Sequence, residues 1–301
     1  MPLNLSSLLL PITTPFTSVE EIDFNGLTSN LEKWNDCGIT GYVALGSTGE
    51  RVNLDQDEYL QVVESARRVV PETLTFLVGA GQQSTRGTIA EIDRAARAGA
   101  DAVLVITPHY YRPAITQAAL IDHYNAVADA VKIPVVLYSM PDLTGIKIQP
   151  DTAARLSEHE NIIGIKDSSN DIAQLRETIR LCGSDFAVMI GNGTVFADAL
   201  RAGACGGILA VGCAVPELCL EIYRALQNKQ DDRATELQNR LTPLARAVTR
   251  TYGIGGLKAA LDMVGYVGGA VRAPLKQASA EAGAEIAQLL GEATNVSEAR
   301  A

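Results

Sequence analysis

Residues 161–169 read Asn-Ile-Ile-Gly-Ile-Lys-Asp-Ser-Ser, an apolar run that is closed by Lys166. A short run rich in β-branched residues predicts a buried strand. In α/β proteins, active sites lie at the carboxyl ends of such strands. Burial penalises the charged form of an amine, so part of Lys166 would be the neutral nucleophile that Schiff-base chemistry on a keto group requires. The alternative is a structural lysine that extends from the strand end into a salt bridge.

Apolar runs of this kind recur along the first two thirds of the chain, and stretches with helical spacing of apolar residues separate them. The runs are residues 8–12, 41–45, 74–78, 102–106, 135–138, 162–165, 187–190 and 207–211. Eight strands that alternate with helices predict an α/β fold, a (β/α)8 TIM barrel. A doubly wound sheet would usually have fewer repeats and a phosphate-binding glycine loop, but Phe196 occupies the third glycine position after Gly191 and Gly193.

The strand pattern stops near residue 216. The later apolar periodicity predicts helices only, at residues 218–226, 233–248, 256–264 and 279–290. We therefore expect a catalytic barrel over residues 1–216 and a helical C-terminal extension over residues 217–301 that packs on it.

Composition narrows the class of protein. The chain has 301 residues, of which 47% are hydrophobic and 20% are charged, and its net charge is −10. An acidic chain argues against nucleic acid as the main partner. No apolar run is long enough to span a bilayer, and the first residues do not resemble a signal peptide. Five cysteines without a CxxC pair favour a reducing cytoplasm, and three scattered histidines do not suggest a metal site.

Three of the predicted strands besides the one before Lys166 end in loops with polar side chains. Ser47 and Thr48 are flanked by glycines, a combination that suits a carboxylate, although it is also an ordinary turn composition. Tyr111 lies in a proline-bracketed loop, where packing or an interface is the usual role. Tyr138 could act as a general acid or base, or it could be a core residue. Because all these loops surround one mouth of the predicted barrel, their agreement favours catalysis.

Three motifs together resemble the dihydrodipicolinate synthase/N-acetylneuraminate lyase family of pyruvate-dependent class I aldolases. They are GSTGE at 46–50, Tyr138 followed by Pro141 and by Thr144-Gly145, and GIKD at 164–167. The resemblance extends over residues 13–275, nearly the whole chain. It implies a (β/α)8 barrel with C-terminal helices, a homotetramer that is a dimer of dimers, and catalysis with neither a metal nor an organic cofactor.

The resemblance also implies roles for individual residues. Lys166 would form the Schiff base with pyruvate or another 2-oxo acid, and Tyr138 would be the acid/base phenol beside it. Thr48 would relay protons and, with Ser47, hold the pyruvate carboxylate. Tyr111 matches the tyrosine that completes the relay of a neighbouring subunit across the dimer interface.

Two further residues match positions next to the bound keto acid. Gly191 would leave room for that acid, and Ser168 would help to position a second carboxylate or hydroxyl. Each could also be an ordinary loop residue.

The loop after strand five bears on which member of the family this is. Dihydrodipicolinate synthases have an arginine before the Thr-Gly pair, where it binds the carboxylate of aspartate semialdehyde. This chain has Leu143 there, and leucine cannot pair with a carboxylate. Residues 110–112, 249–258 and 265–269 resemble 4-hydroxy-2-oxoglutarate aldolase more closely. Thr48 and Gly255 depart from that branch, which has asparagine and proline at the two positions.

We therefore expect a carbon–carbon lyase that cleaves a 4-hydroxy-2-oxo acid, such as 4-hydroxy-2-oxoglutarate, to pyruvate and an aldehyde such as glyoxylate. One alternative is 4-hydroxy-tetrahydrodipicolinate synthase, or a sugar-acid aldolase or dehydratase of the same family. A second alternative is a non-catalytic barrel that binds a keto acid. A pure binder, however, has no use for a nucleophile beside a phenol.

Overall fold

The computed structural model describes residues 3–294 and contains a closed barrel of eight parallel strands, which confirms the predicted TIM barrel. Each strand pairs with the next one in the chain, and the last pairs with the first. All eight predicted apolar runs coincide with strands to within a few residues. The strands are β1 Ser7–Pro11, β2 Gly41–Ala44, β3 Thr75–Ala80, β4 Ala102–Ile106, β5 Val135–Ser139, β6 Ile162–Asp167, β7 Ala187–Ile190 and β8 Gly206–Ile208.

Helices follow the strands around the outside of the barrel, and helices form the C-terminal part of the described chain, as predicted. They are α1 Phe24–Asn35, α2 Gln56–Val69, α3 Thr85–Arg97, α4 Gln117–Ala130, α5 Pro141–Thr144, α6 Pro150–Leu156, α7 Ile172–Cys182, α8 Phe196–Arg201, α9 Pro216–Gln227, α10 Asp231–Arg246, α11 Gly253–Met263 and α12 Ala280–Thr294. A π-helical turn, Ala247–Thr251, joins α10 to α11. Within residues 3–294, no helix combines the length and the apolar character that a bilayer span requires.

Local signals in the sequence account for the ends of several helices. α2 begins at a capping box, in which Asp55 Oδ1 accepts from Glu58 N and Glu58 Oε2 accepts from Asp55 N, both at 2.9 Å. α3 is followed by Gly99 with a φ of +98°, a left-handed conformation that glycine adopts readily at the end of a helix.

The strands alternate their side chains between two apolar layers. On β1, Leu9 faces the inside of the barrel, whereas Leu8 and Leu10 pack outward against the helices. A period of two residues is the geometry of a strand, and because both faces are covered, the run is continuously apolar. Met189 and Tyr138 also belong to the inner layer, so the inside of the barrel is a packed core below its open end.

The C-terminal helices pack on the barrel. α9 contacts α8 and β1, α10 lies against α8 and α9, and α12 packs on α10 and α11. The division into two units at residue 216 stays a prediction, and the end of the expected extension, residues 295–301, lies outside the described residues.

An ion pair without solvent exposure connects α11 to the loop after β2. Lys258 Nζ lies 2.6 Å from Glu50 Oε1, and both side chains are 0% exposed. The ammonium also donates to the carbonyls of Thr14 at 2.7 Å and Ala270 at 2.5 Å. Glu50 Oε2 accepts from Arg272 N at 3.0 Å. With these hydrogen bonds, both charges are compensated in the interior, which a buried ion pair requires.

We expect Lys258→Met to destabilise the fold by about 3–5 kcal/mol, because it leaves the Glu50 carboxylate buried without its partner. The double variant Glu50→Gln/Lys258→Met removes both charges and should recover part of that loss. The measurement is the urea midpoint of each variant.

Lys276→Met is the matched control, since Lys276 is exposed and its replacement should leave the midpoint nearly unchanged. A double variant that is no more stable than Lys258→Met would contradict this account.

Candidate active site

A cavity of about 910 Å³ opens at the carboxyl ends of the barrel strands. The loops that follow β2, β4, β5, β6 and β7 form most of its wall, and the π-helical turn and the start of α11 complete it. Cavities of roughly 300–1,000 Å³ hold small molecules, and TIM-barrel enzymes have their active sites at this end.

Lys166 and Tyr138 lie next to each other in the wall of this cavity. The parallel register of β5 and β6 pairs the two residues directly. Their exposed fractions are 4% and 3%, and Lys166 Nζ lies 4.4 Å from the centroid of the Tyr138 ring. Among residues 3–294, no carboxylate oxygen comes within ion-pair distance of that nitrogen; the lysines that do form ion pairs are others. Lys166 is therefore not a structural lysine that is held in a salt bridge within the described part of the chain.

The loop after β2 brings one hydroxyl group to the phenol and a second one to the same cavity. Ser47 Oγ and Tyr138 Oη share a hydrogen bond of 3.0 Å. Thr48 follows with 6% exposure and lines the same cavity. These three hydroxyl groups can exchange protons or donate to an anion.

The shape of this loop depends on unusual backbone angles. Leu45 and Glu50, on either side of it, have left-handed φ values of +55° and +54°. Such angles are costly for residues other than glycine, so surrounding contacts must hold them. Thr14 Oγ1 donates to Gly49 O at 2.8 Å, and a Cβ on Gly79 would overlap the carbonyl oxygen of Leu45. The loop therefore fits tightly against the end of β3.

The loops after β6 and β7 border the amine on its other side. Gly191 N donates to Asp167 O at 2.6 Å. A Cβ on Gly191 would overlap Ser168 Oγ and would lie 2.7 Å from Cε of Lys166. Asp167 turns away from the amine, since its carboxylate accepts from Ser169 N at 2.7 Å and from Gln174 Nε2 at 3.3 Å. The space beside Lys166 is thus open because residue 191 is a glycine, which has no Cβ.

The cavity mouth carries exposed side chains from two segments. Leu143 on α5 is 63% exposed. Asp142 Oδ2 of the same helix lies 3.2 Å from Arg250 Nη2 of the π-helical turn. Arg51 also lines the cavity, but its guanidinium is bound to Glu91 at 2.8 Å.

Tyr111 is the one predicted site residue that the cavity of its own chain does not include. It is 69% exposed and packs edge to face on Tyr110, with ring centroids 5.1 Å apart. From the same loop, His109 lines the cavity instead. The structure therefore brings together the other predicted residues: Ser47, Thr48, Tyr138, Lys166, Ser168 and Gly191.

Sequence reasoning missed two charged residues near the site. Lys258 supports the loop after β2 through Glu50, and Arg250 lines the mouth. A signal for Lys258 was present, because it lies on the otherwise apolar face of a predicted helix, which calls for a buried partner. No periodic pattern could have indicated Arg250, since its position depends on the π-helical turn.

The arrangement is suited to covalent chemistry on a carbonyl compound. A lysine amine without an anionic partner can attack a carbonyl carbon, and a phenol beside it can exchange protons with the adduct. Within the described residues, no group of three or more His, Cys, Asp or Glu side chains could hold a metal ion.

Comparison with known proteins identifies the family that the sequence motifs resemble, and the match covers nearly the whole length of the chain. The model of the dihydrodipicolinate synthetase family matches residues 4–293. A curated relative from Methanothrix thermoacetophila, a 4-hydroxy-tetrahydrodipicolinate synthase, is 36% identical over 280 residues, which are 93% of this chain and 94% of the relative.

Solved structures agree with the fold. A dihydrodipicolinate synthase from Bacillus anthracis superposes with a TM-score of 0.92 at 29% identity, covering 96% of this chain and 98% of the other. The prophage protein YagE from E. coli K12, solved in complex with pyruvate, superposes with a TM-score of 0.90 at 28% identity, with the same coverage of 96% and 98%.

Proposed function

The chain belongs to the dihydrodipicolinate synthetase family, and from this premise we propose that it is a pyruvate-dependent class I lyase that acts through a Schiff base at Lys166. One observation carries the proposal. Lys166 lies beside the Tyr138 phenol, without a carboxylate partner in the described part of the chain, in the wall of an open cavity. The complex of the similar protein YagE with pyruvate supports the choice of keto acid.

In the proposed reaction, the Lys166 amine adds to the keto carbon of pyruvate, and water leaves to form an iminium ion. The adjacent methyl carbon then loses a proton, and the resulting enamine attacks the aldehyde carbon, whose oxygen takes up a proton. In reverse, the hydroxyl loses its proton, the carbon–carbon bond breaks, and the iminium accepts the electron pair. Water finally releases the keto acid from the amine.

The neighbouring hydroxyl groups would supply these proton transfers. We assign the acid/base role to Tyr138, because its phenol lies beside Lys166 and shares a 3.0 Å hydrogen bond with Ser47. Thr48 would extend the relay, and both loop hydroxyls would hold the pyruvate carboxylate. Ser168 would contact the remaining polar group of the substrate.

Tyr111 would act in the assembled enzyme. We propose a dimer of dimers in which Tyr111 reaches the site of a neighbouring subunit, and its 69% exposure leaves it free for such a contact. This assembly, and a location in the cytoplasm, remain predictions.

Borohydride reduction in the presence of pyruvate should attach a reduced pyruvate adduct to Lys166, because the reagent converts an iminium to a stable amine. Mass spectrometry with peptide mapping locates the adduct. Lys166→Ala should lose the adduct and keep its fold, as judged by circular dichroism.

Lys132→Ala is the matched control, since Lys132 is exposed and outside the cavity, and it should be labelled like the parent protein. An adduct of equal yield in Lys166→Ala would overturn the assignment.

Gly191→Ala should abolish most of the same labelling, because its methyl group would occupy the space next to Lys166 Cε and Ser168 Oγ. The yield of adduct at a series of pyruvate concentrations measures the effect. Gly291→Ala also adds one methyl group, but in open space on α12, and should label normally. Equal labelling of the two variants would mean that the keto acid does not bind beside Gly191.

The two candidate reactions of this enzyme differ in the second substrate. The name of the curated relative favours condensation of pyruvate with aspartate semialdehyde, as in 4-hydroxy-tetrahydrodipicolinate synthase, over the aldol cleavage that we expect from the sequence. We therefore propose the condensation as the first candidate. Cleavage of a 4-hydroxy-2-oxo acid stays the second candidate because of Leu143, which is 63% exposed at the mouth where the synthases have arginine.

The condensation should have the higher kcat/KM when both reactions are measured on one preparation. Consumption of aspartate semialdehyde in the presence of pyruvate measures the first reaction. Release of pyruvate from 4-hydroxy-2-oxoglutarate, coupled to lactate dehydrogenase, measures the second. The opposite ranking would establish the cleavage as the main activity, with Lys166 unchanged in its role.

A further inference from the structure

We infer that Arg250 binds the carboxylate of the second substrate, so that this enzyme selects an acidic aldehyde or aldol although Leu143 is apolar. The inference rests on the proposed function and extends it to the residue that determines specificity. Among the residues that line the cavity, the lysine and arginine side chains are Arg51, Lys166 and Arg250.

Two of these three cations have other partners or another role. Arg51 Nη1 is paired with Glu91 at 2.8 Å, Arg51 Nη2 donates to Gly81 O at 2.7 Å, and the side chain is 11% exposed. Lys166 is the proposed nucleophile. Arg250 is therefore the cation that an incoming anion can reach, and its side chain is 65% exposed.

The partner of Arg250 can be exchanged for a substrate. Arg250 has one ion-pair contact among the described residues, the 3.2 Å contact between its Nη2 and Asp142 Oδ2, and the Asp142 side chain is 53% exposed. An exposed pair with a single contact contributes little to stability. A guanidinium can bind a carboxylate through two parallel hydrogen bonds, so a substrate carboxylate can replace or join Asp142 at low cost.

The backbone brings Arg250 to this position by an uncommon turn. Between Ala247 and Thr251 the helix widens, and Tyr252 N donates to Ala247 O, five residues earlier, at 2.9 Å. Such π-helical turns are rare and frequently occur at functional sites. The turn directs Arg250 toward α5, the same one-turn helix that carries Leu143.

Because the chain is acidic overall, a local cation would help to attract an anionic substrate to the cavity. With a net charge of −10, the protein repels anions on average, and a guanidinium at the mouth provides a local attraction. Leu143, next to Asp142 on α5, would pack against the carbon chain of the substrate, while the carboxylate beyond it reaches Arg250. The substrate class is thus an aldehyde that carries a carboxylate, or the corresponding aldol, which has this carboxylate in addition to the one from pyruvate.

The test compares an acidic aldehyde with its methyl ester, in which a small methyl group replaces the negative charge. Aspartate semialdehyde and its methyl ester form one pair, and glyoxylate and its methyl ester form the other. For the acid, Arg250→Gln should lower kcat/KM by roughly tenfold to a hundredfold, mainly through KM, because a charge-assisted hydrogen bond is lost. The ester should be nearly unaffected, and Arg250→Lys should retain part of the preference for the acid.

Asp142→Asn provides a second measurement. Removing the competing carboxylate should lower KM for the acid and leave KM for the ester unchanged. Arg246→Gln is the matched control, since Arg246 is exposed at the end of α10 and does not line the cavity. It should not change the ratio of acid to ester.

Borohydride labelling with pyruvate separates this inference from the proposed function. Arg250→Gln should label Lys166 as the parent protein does. If labelling is normal and the ratio of acid to ester is unchanged in Arg250→Gln, the inference is wrong while the Schiff-base chemistry stands. If acid and ester lose activity equally and the urea midpoint falls, Arg250 has a structural role, and the inference is likewise wrong.

Discussion

Lys258 and Glu50 form an ion pair in which neither side chain is exposed to solvent. Hydrogen bonds to backbone groups, such as the carbonyl of Thr14, complete the contacts of the two charges. Their contact joins α11, far along the chain, to the loop after β2. Glu50 has a left-handed backbone and lies two residues after Thr48, so the ion pair helps to hold the part of the loop that carries the active-site hydroxyls. The C-terminal helices are therefore part of the support of the site, although the barrel strands are complete without them.

The chemistry itself depends on the register of β5 and β6. In a parallel sheet, residues paired across neighbouring strands lie side by side on the same face, and this pairing brings the Tyr138 phenol next to the Lys166 amine. The surrounding carboxylates have other partners: Asp167 is bound by Ser169 and Gln174. Among the described residues, the Lys166 amine is therefore not held in an ion pair, and it is available to attack a carbonyl carbon.

We assign different steps of the proposed reaction to the inner and the outer part of the site. The inner part, with Lys166, Tyr138 and the Ser47 hydroxyl, suits any pyruvate-dependent reaction of the family. The outer part, with Leu143 and Arg250, lines the cavity where we propose that the second substrate binds. Because the two parts come from different loops, the mouth can change its selectivity while the covalent step is retained, which is a general property of barrel enzymes.

The sequence by itself determined the order of strands and helices, because the periodicity of apolar residues is a local property of the chain. It also determined which strand ends carry hydroxyls, a phenol and an amine, since the position of Lys166 at the end of an apolar run can be read directly. Only the tertiary structure decided that Lys166 has no ion-pair partner in the described residues, that Glu50 is paired with Lys258, and that Arg250 reaches the mouth. These contacts join residues far apart in the chain, and a side chain's charge state and reach depend on neighbours that no local pattern specifies.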